Sequence, residues 1–287
     1  MPELPEVEAL RGFLADRCVG KVVADTQLVA FACLKTFDPP LAALAGLEVG
    51  QVARRGKFLG LEIGGLWLVF QLARAGWLIW KDEVPAAPAR PGRGPLAFRL
   101  RLEDDSGFDL TEAGTQKRLA LYLVPHPEQV PGIAGLGPEP LDGAFTPEVF
   151  GAILDAAGRS QLKGVLRDQR TIAGIGNAYS DEILHAARLS PFKPANGLDA
   201  GERERLYAAL RGELTAAVAR ASGLAAKELK DGKRSAMRVH GRTGQPCGIC
   251  GDTVAEVSFA DSSLQYCPTC QTGGRPLADR RLSRLLK

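Results

Sequence analysis

Four cysteines near the C-terminus constrain this chain more than any other feature. They stand as Cys247-Gly-Ile-Cys250 and Cys267-Pro-Thr-Cys270, with sixteen residues between the pairs. Each C-x-x-C turn supplies two thiolates from one knuckle, and a tetrahedral zinc ion ties two such knuckles into a ribbon. Cys247, Cys250, Cys267 and Cys270 fill all four positions, so the expected single zinc per chain is structural. Paired knuckles in a chain without a signal segment read as a metal site rather than a disulfide framework. Cys18 and Cys33 are isolated and read as buried thiols.

A ribbon of this size accounts for little of a 287-residue chain, which is long enough for two further cores. Val7, Leu10, Leu14 and Cys18 recur at helical spacing, with Gly20 as the stop. From Lys21 to Val124 the texture changes to short β-rich runs separated by Gly, Pro and Asp turns: Val22–Ala30, Leu47–Ala53, Phe58–Ile63, Leu66–Leu72, Trp77–Trp80, Leu96–Leu102 and Arg118–Val124. That pattern predicts an antiparallel sandwich or barrel, with Pro85–Pro95 as an exposed loop. Beyond Gly132 the period becomes helical, over Pro147–Ala157, Ser160–Asp168, Asn177–Ala187 and Asp199–Ala221, and Gly223–Ser235 reads as polar and irregular. The expected architecture is α+β and multidomain. An N-terminal antiparallel β-sandwich preceded by a helix occupies 1–131, a linker 132–147, a helical domain 148–238, and a metal-bearing hairpin with a basic tail 239–287.

No stretch approaches the ~18 uninterrupted apolar residues of a membrane span. A cytoplasmic protein is expected. Net charge is only +3, but residues 217–287 hold 12 Lys and Arg against 6 Asp and Glu. A basic C-terminal part on a slightly acidic body suits a phosphate-bearing partner, and solvated surface charge would look the same.

The first eight residues, Met1-Pro2-Glu3-Leu4-Pro5-Glu6-Val7-Glu8, carry the most reactive chemistry. With Met1 removed, Pro2 becomes a terminal secondary amine whose pKa of ~7.7–8.0 leaves it nucleophilic near neutrality. Adding to a sugar aldehyde, it yields a permanently charged iminium, an electron sink. Glu3 sits beside it as a candidate acid or base. The same residues also suit a plain stiffened terminus with a helix starting at Pro5 or Glu6. Further along, Gly174-Ile175-Gly176-Asn177 precedes a helix, with Asn177 as the expected N-cap and the helix N-terminus as an anion site. Lys57 follows Arg54-Arg55-Gly56, and Lys163 lies upstream of Asp168-Gln169. Taken alone, each of these lysines reads as ordinary exposed charge.

Together these stretches resemble the formamidopyrimidine-DNA glycosylase/endonuclease VIII family. The resemblance rests on Pro2 through Glu8, Arg55-Gly56-Lys57, Lys163 through Asp168-Gln169 to Gly174-Ile175-Gly176-Asn177-Ala178-Tyr179 and Asp181-Glu182, and Gly241-Arg242 through the four cysteines and Gln271. It implies a bifunctional DNA glycosylase and abasic-site lyase that excises oxidised or ring-damaged bases and cleaves the strand by β/δ-elimination. It implies Pro2 as nucleophile at C1′, Glu3 as acid/base and Lys57 as a catalytic hairpin lysine. Lys163, Gly176, Asn177 and Arg242 become DNA contacts, and the helical part a helix–two-turns–helix grip. The implied partner is double-stranded DNA with damaged bases or abasic sites, engaged by a monomer.

The chain departs from the family at its probing elements. The family generally fills the gap left by a flipped base with a methionine and an arginine–phenylalanine pair. Here Gln71-Leu72-Ala73-Arg74-Ala75-Gly76 places Arg74 at the first position, and Thr111-Glu112-Ala113-Gly114-Thr115-Gln116-Lys117-Arg118 has no such pair. Asp261-Ser262-Ser263-Leu264 replaces the ribbon's usual arginine, for which Arg275 is the expected substitute. These losses also fit a non-catalytic relative that only binds damaged DNA, whereas Pro2, Glu3 and Lys57 favour the enzyme.

Overall fold

The computed structural model describes residues 1–89, 94–259 and 262–278. Expectations for the middle of the Pro85–Pro95 loop, for Asp261 and for the basic tail from 279 onward fall outside these residues. Chain contacts gather the protein into two units, Met1–Leu136 with Ala221–Lys230, and Gly137–Arg220 with Asp231–Lys287. Among the described residues no helix is long and apolar enough to cross a membrane.

The first unit opens with helix α1 (Leu4–Cys18), whose Val7, Leu10, Leu14 and Cys18 are buried as their spacing requires. Eight strands follow: β1 (Val23–Leu28), β2 (Val49–Arg55), β3 (Phe58–Ile63), β4 (Leu66–Gln71), β5 (Gly76–Lys81), β6 (Leu96–Leu102), β7 (Gly107–Glu112) and β8 (Ala120–Val124). They pair antiparallel in two sheets ordered β1-β6-β7-β5 and β2-β3-β4-β8. Val23, Phe98, Phe108 and Leu110 from the first sheet share one cluster with Leu59, Leu61, Phe70 and Leu121 from the second and with α1. Phe70 and Phe108, one from each sheet, meet at 6.0 Å between ring centroids, which fixes the sandwich. Strand β3 is covered on its other face too, where Phe58 and Val69 pack with Val130 and Ile133 around the short helix α2 (Pro131–Ala134). Burial on both faces explains why the consecutive Phe58 and Leu59 are both apolar and both buried.

Strand β7 is the element that sequence patterning missed. It runs between an Asp-Asp-Ser turn and a polar loop, and Asp109 interrupts its alternation. That carboxylate is buried against Arg99, directly opposite in the ladder, through bonds of 2.7 and 2.9 Å, with Lys81 at 3.3 Å. A charge satisfied by its cross-strand partner occupies a position that a hydrophobic pattern reads as surface.

The second unit is helical: α3 (Pro147–Ala157), α4 (Leu162–Arg167), α5 (Asn177–Ala186) and most of α6 (Ala200–Ala221). Thr146 caps α3, its hydroxyl accepting from Val149 N–H, and Pro147 stands at the first helical position. Phe145, Phe150 and Tyr207 cluster with centroids 5.8 to 6.1 Å apart. The stretch Gly223–Ser235 is not irregular as expected, because it contains helix α7 (Leu229–Ala236). Its single long apolar side chain, Leu229, is buried, too little pattern for a periodicity argument to find. The chain continues into a hairpin of β9 (Ala255–Ser258) and β10 (Ser263–Tyr266), then the short helix α8 (Pro268–Thr272).

Candidate active site and nucleic-acid interface

In the first unit Pro2 is buried beside an exposed Met1, and Glu3, 3% exposed, is the N-cap of α1. Glu6 Oε2 accepts the Glu3 N–H at 2.8 Å, and the Glu3 side chain faces the Glu6 N–H in return, a capping box. The terminus is therefore fixed by its own helix. That helix is tied to strand β2 through Glu8, whose carboxylate accepts from Arg54 at 2.8 Å and from Arg11 at 2.6 Å. Burial opposes ionisation of Glu8, but the two guanidiniums win and hold its pKa below the ordinary value. Strand β2 leads into the two-residue turn Gly56-Lys57, where Arg55 pairs with Phe58 across the hairpin. Gly56 adopts φ 55°, the positive value that the first central residue of a type II′ turn demands, and Lys57 follows it half-buried.

The β4–β5 turn presents Arg74 on the surface. Ala73 sits at φ 51°, left-handed for a residue with a Cβ, while Gly76 N–H closes the turn onto Leu72 O at 2.9 Å. A Cβ on Gly76 would lie 2.1 Å from that carbonyl, so the turn requires glycine. The left-handed backbone at Ala73 immediately precedes the exposed Arg74. The loop 113–117 is closed by buried Glu112, whose Oε1 accepts Arg118 N–H at 2.6 Å and Leu119 N–H at 2.9 Å.

In the second unit the turn before α5 is built by Gln169. Its amide donates to Ile175 O at 2.7 Å and Arg167 O at 2.8 Å, and its oxygen accepts from Gly174 N–H at 3.0 Å. Gly176, not Asn177, is the N-cap, which corrects the sequence expectation. Asn177 is the first helical residue, and its Nδ2 donates to Ser263 O in β10 at 2.8 Å. Lys163 is buried rather than on the surface. Its ammonium donates to Asn177 O at 3.1 Å, Ser180 Oγ at 3.0 Å and Asp181 Oδ1 at 2.5 Å, so it braces the first turn of α5 from within. Arg242 donates to Met237 O, Arg234 O and Ser235 O, capping the C-terminal carbonyls of α7. Arg275 is exposed beyond the ribbon.

Two buried carboxylates of α5 carry structural roles that no motif spacing announces. Glu182 accepts the backbone N–H groups of Arg238, Val239 and His240 at 2.9, 3.0 and 2.9 Å. Asp181 receives His240 Nδ1 at 2.8 Å beside Lys163. The chain entering the ribbon is thereby fastened to α5.

The four cysteine Sγ atoms lie within 4.8 Å of one another, with Cys250–Cys267 at 3.3 Å and Cys247–Cys270 at 4.0 Å. Zinc–sulfur bonds of ~2.3 Å in a tetrahedron require sulfurs ~3.8 Å apart, so the donor set fits the ion. Burial pushes the Cys267 thiol up to about 11 and raises Cys270 as well. Burial likewise opposes ionisation of Cys247, but the N–H groups of Ile249 and Cys250 bring its pKa below the ordinary value. Asp252 links the knuckles by accepting from Thr269 N–H and Oγ1. The isolated thiols behave as expected, burial raising Cys18 to about 12 and Cys33 to about 11.

A sandwich entered through a capped helix, a glycine turn opening a buried helix, and a four-thiolate hairpin define an α+β helix–two-turns–helix protein with a structural zinc ribbon. Residues 1–118 match the formamidopyrimidine-DNA glycosylase N-terminal domain, 136–228 the H2TH domain of that enzyme, and 244–273 the zinc finger found in FPG and IleRS. The chain belongs to the formamidopyrimidine-DNA glycosylase family. It is 36% identical to the formamidopyrimidine-DNA glycosylase of Symbiobacterium thermophilum over 94% of this chain and 89% of that one. An uncharacterized formamidopyrimidine-DNA glycosylase-like protein of Mycobacterium tuberculosis is 57% identical over 53% of this chain and 94% of its own length. Among solved structures, the MutM (Fpg) protein of Thermus thermophilus matches with a TM-score of 0.78 and 33% identity, over 96% of this chain and 100% of that one. The Lactococcus lactis enzyme bound to DNA containing an N7-benzyl-Fapy-dG matches at 0.83 and 26% identity, over 94% and 100%.

Proposed function

We propose that this chain is a bifunctional DNA glycosylase and abasic-site lyase acting through Pro2 on double-stranded DNA with damaged bases or abasic sites. The observation that carries the reading is the N-terminus itself: Pro2 and Glu3 are buried at a capped helix start, and Glu8 ties that helix to the strand that leads to Lys57. A nucleophile works best when its position is set before the substrate arrives. After Met1 is removed, the Pro2 amine attacks C1′ and the base departs with the glycosidic bonding pair. Glu3 supplies the proton that opens the sugar ring at O4′. The resulting iminium acidifies C2′; loss of that proton expels the 3′ phosphate, and a second elimination expels the 5′ phosphate. The duplex must first surrender the base, so flipping is part of the reaction.

Gly176 and Asn177 at the start of α5 bind a backbone phosphate through the N–H groups of the helix terminus, with Lys163 supporting them from below. Arg74 enters the gap left by the flipped base, and Arg242 and Arg275 add contacts from the ribbon side. The catalytic part is 1–131, the grip 148–238 and the zinc hairpin 239–287. The protein works as a monomer in the bacterial cytoplasm, on the nucleoid.

Borohydride trapping tests the reading. The mature chain should begin at Pro2 and crosslink to DNA containing an abasic site, and an uncleaved N-terminal tag should abolish the crosslink. A crosslink that survives the blocked terminus and maps to a lysine would overturn the assignment.

A further inference from the structure

One buried imidazole belongs to none of the roles above. His185, in the last turn of α5, is completely buried, and its Nε2 lies 3.3 Å from Cys247 Sγ. Its other ring nitrogen, Nδ1, is also buried and has no hydrogen-bond partner among the described residues. These two facts together select one arrangement of the ring proton. With the proton on Nε2, the ring donates to a zinc-bound thiolate and leaves only a bare lone pair at Nδ1. With the proton on Nδ1, a buried donor would lack an acceptor, and the Nε2 lone pair would face a thiolate. The first is far cheaper, because an unmet buried donor and a repulsive pair are both avoided.

We propose that His185 is a positioning residue for the zinc site, its Nε2–H donating to the Cys247 thiolate and locking the first knuckle onto α5. Four thiolates around one divalent cation leave net negative charge on the sulfurs, and N–H donors delocalise it. Such outer donors orient ligands and raise metal affinity. Cys247 is 3% exposed, so little water reaches its sulfur and the imidazole joins the protein's own N–H donors around it.

The position within the fold gives this bond a second consequence. Besides the Glu182 and Asp181 bonds to residues 238–240, three polar ties among the described residues join the ribbon to α5 and its end: Asn177 on Ser263 O at the first turn, His185 on Cys247 at the last, and Gln271 on Leu189 O just beyond. Gln271 also accepts the Cys267 N–H at 2.9 Å, so the second knuckle is held through a backbone group. Among the three ties, only His185 touches a metal ligand directly. Through it, metal occupancy is felt by the helix whose other end carries Asn177.

The test uses the zinc-loaded full chain. Nitrogen NMR of the ring should show Nε2 protonated and Nδ1 bare, and chelator competition should give a zinc affinity about tenfold or more weaker in H185F. H185Q, which returns an N–H near the Nε2 position, should recover much of that loss, while apolar filling alone would favour H185F. The Nδ1-protonated form in the wild-type chain would overturn the proposal, as would equal zinc affinity in H185F and wild type or a failure of H185Q to exceed H185F. Should H185F not fold, the ring-nitrogen spectrum of the wild-type chain decides.

Discussion

Replacing Glu182 with glutamine isolates the clamp between α5 and the ribbon. Glu182 is 2% exposed; its Oε1 accepts from Val239 and His240 N–H, and its Oε2 from Arg238 N–H, with Arg238 Nε at 3.4 Å. Glutamine keeps one acceptor oxygen. The other becomes an NH₂ facing the Arg238 donors, which strands a buried N–H at a cost of ~1–3 kcal/mol. The two surviving bonds lose their charge assistance, about 1 kcal/mol each. Arg238 keeps a carboxylate partner in Glu213, so no orphaned cation adds to the sum. The total, ~3–5 kcal/mol, is a large share of the ~5–15 kcal/mol that holds a domain folded. The assay is native-state hydrogen exchange on the zinc-loaded chain, which reads the three amides separately from the sandwich. Their protection should fall by the stated amount, with strands of the first unit unchanged. A loss below about 1 kcal/mol at all three amides would refute the clamp, since it falls under the cost of one stranded donor.

Three further outcomes follow from the same geometry. Freshly purified protein should contain one zinc per chain, and Cys250→Ser should lower DNA affinity while the sandwich melts as before; purified chain without zinc would refute the ribbon. Arg74→Ala should slow base excision from duplex DNA much more than cleavage of a single-stranded abasic site, measured by gel-resolved single turnover; a parallel fall in both would remove Arg74 from the gap. Glu8, whose pKa is depressed in the folded chain, contributes stability that is present above its ordinary value of 4.5 and lost as pH falls through the lower folded value. Acid titration of Glu8→Gln should therefore show a shallower loss of first-unit stability below pH 4.5 than wild type.

What the sequence revealed was set by local signals. Periodicity disclosed α1 because its buried face repeats every turn. The ribbon was legible because metal geometry fixes ligand spacing in the chain itself. Strand β7 and helix α7 were hidden for opposite reasons: Asp109 looks polar but is buried by pairing, whereas Leu229 is one apolar anchor in a charged segment. Lys163 reads as a surface cation until Asp181 and Ser180 are seen around it. Glu182 and His185 act on partners 56 to 62 residues away, and distances of that kind leave no spacing to read.

The helix found at 229–236 sharpens the question of which lesions are excised. The resemblance implies that members excising 8-oxoguanine carry a long loop over the flipped purine between the last long helix and the ribbon; the corresponding interval here, 223–237, is short, lysine-rich and lacks an aromatic residue. Its first part is also pinned within the first unit. Trp77 Nε1 donates to Ala226 O at 3.1 Å, the Lys230 ammonium lies 4.3 Å above the Trp77 ring, and Leu229 is buried. A segment held by a buried indole hydrogen bond and a cation–π contact gives up those interactions if it moves to close on a base. Discrimination among bases rests on polar groups that only the right substrate satisfies, and a pinned, sparsely furnished segment offers few. The chemistry then falls to lesions that flip readily or weaken their own glycosidic bond. Abasic sites, non-planar oxidised pyrimidines and hydantoin-type or ring-opened purines should be processed well, and 8-oxoguanine opposite cytosine poorly. Single-turnover rates on one duplex carrying each lesion in turn measure this. Excision of 8-oxoguanine at or above the hydantoin rate would mean that the pinned segment does not limit recognition, and Trp77→Phe, which frees Ala226 O, should then leave the ranking of lesions unchanged.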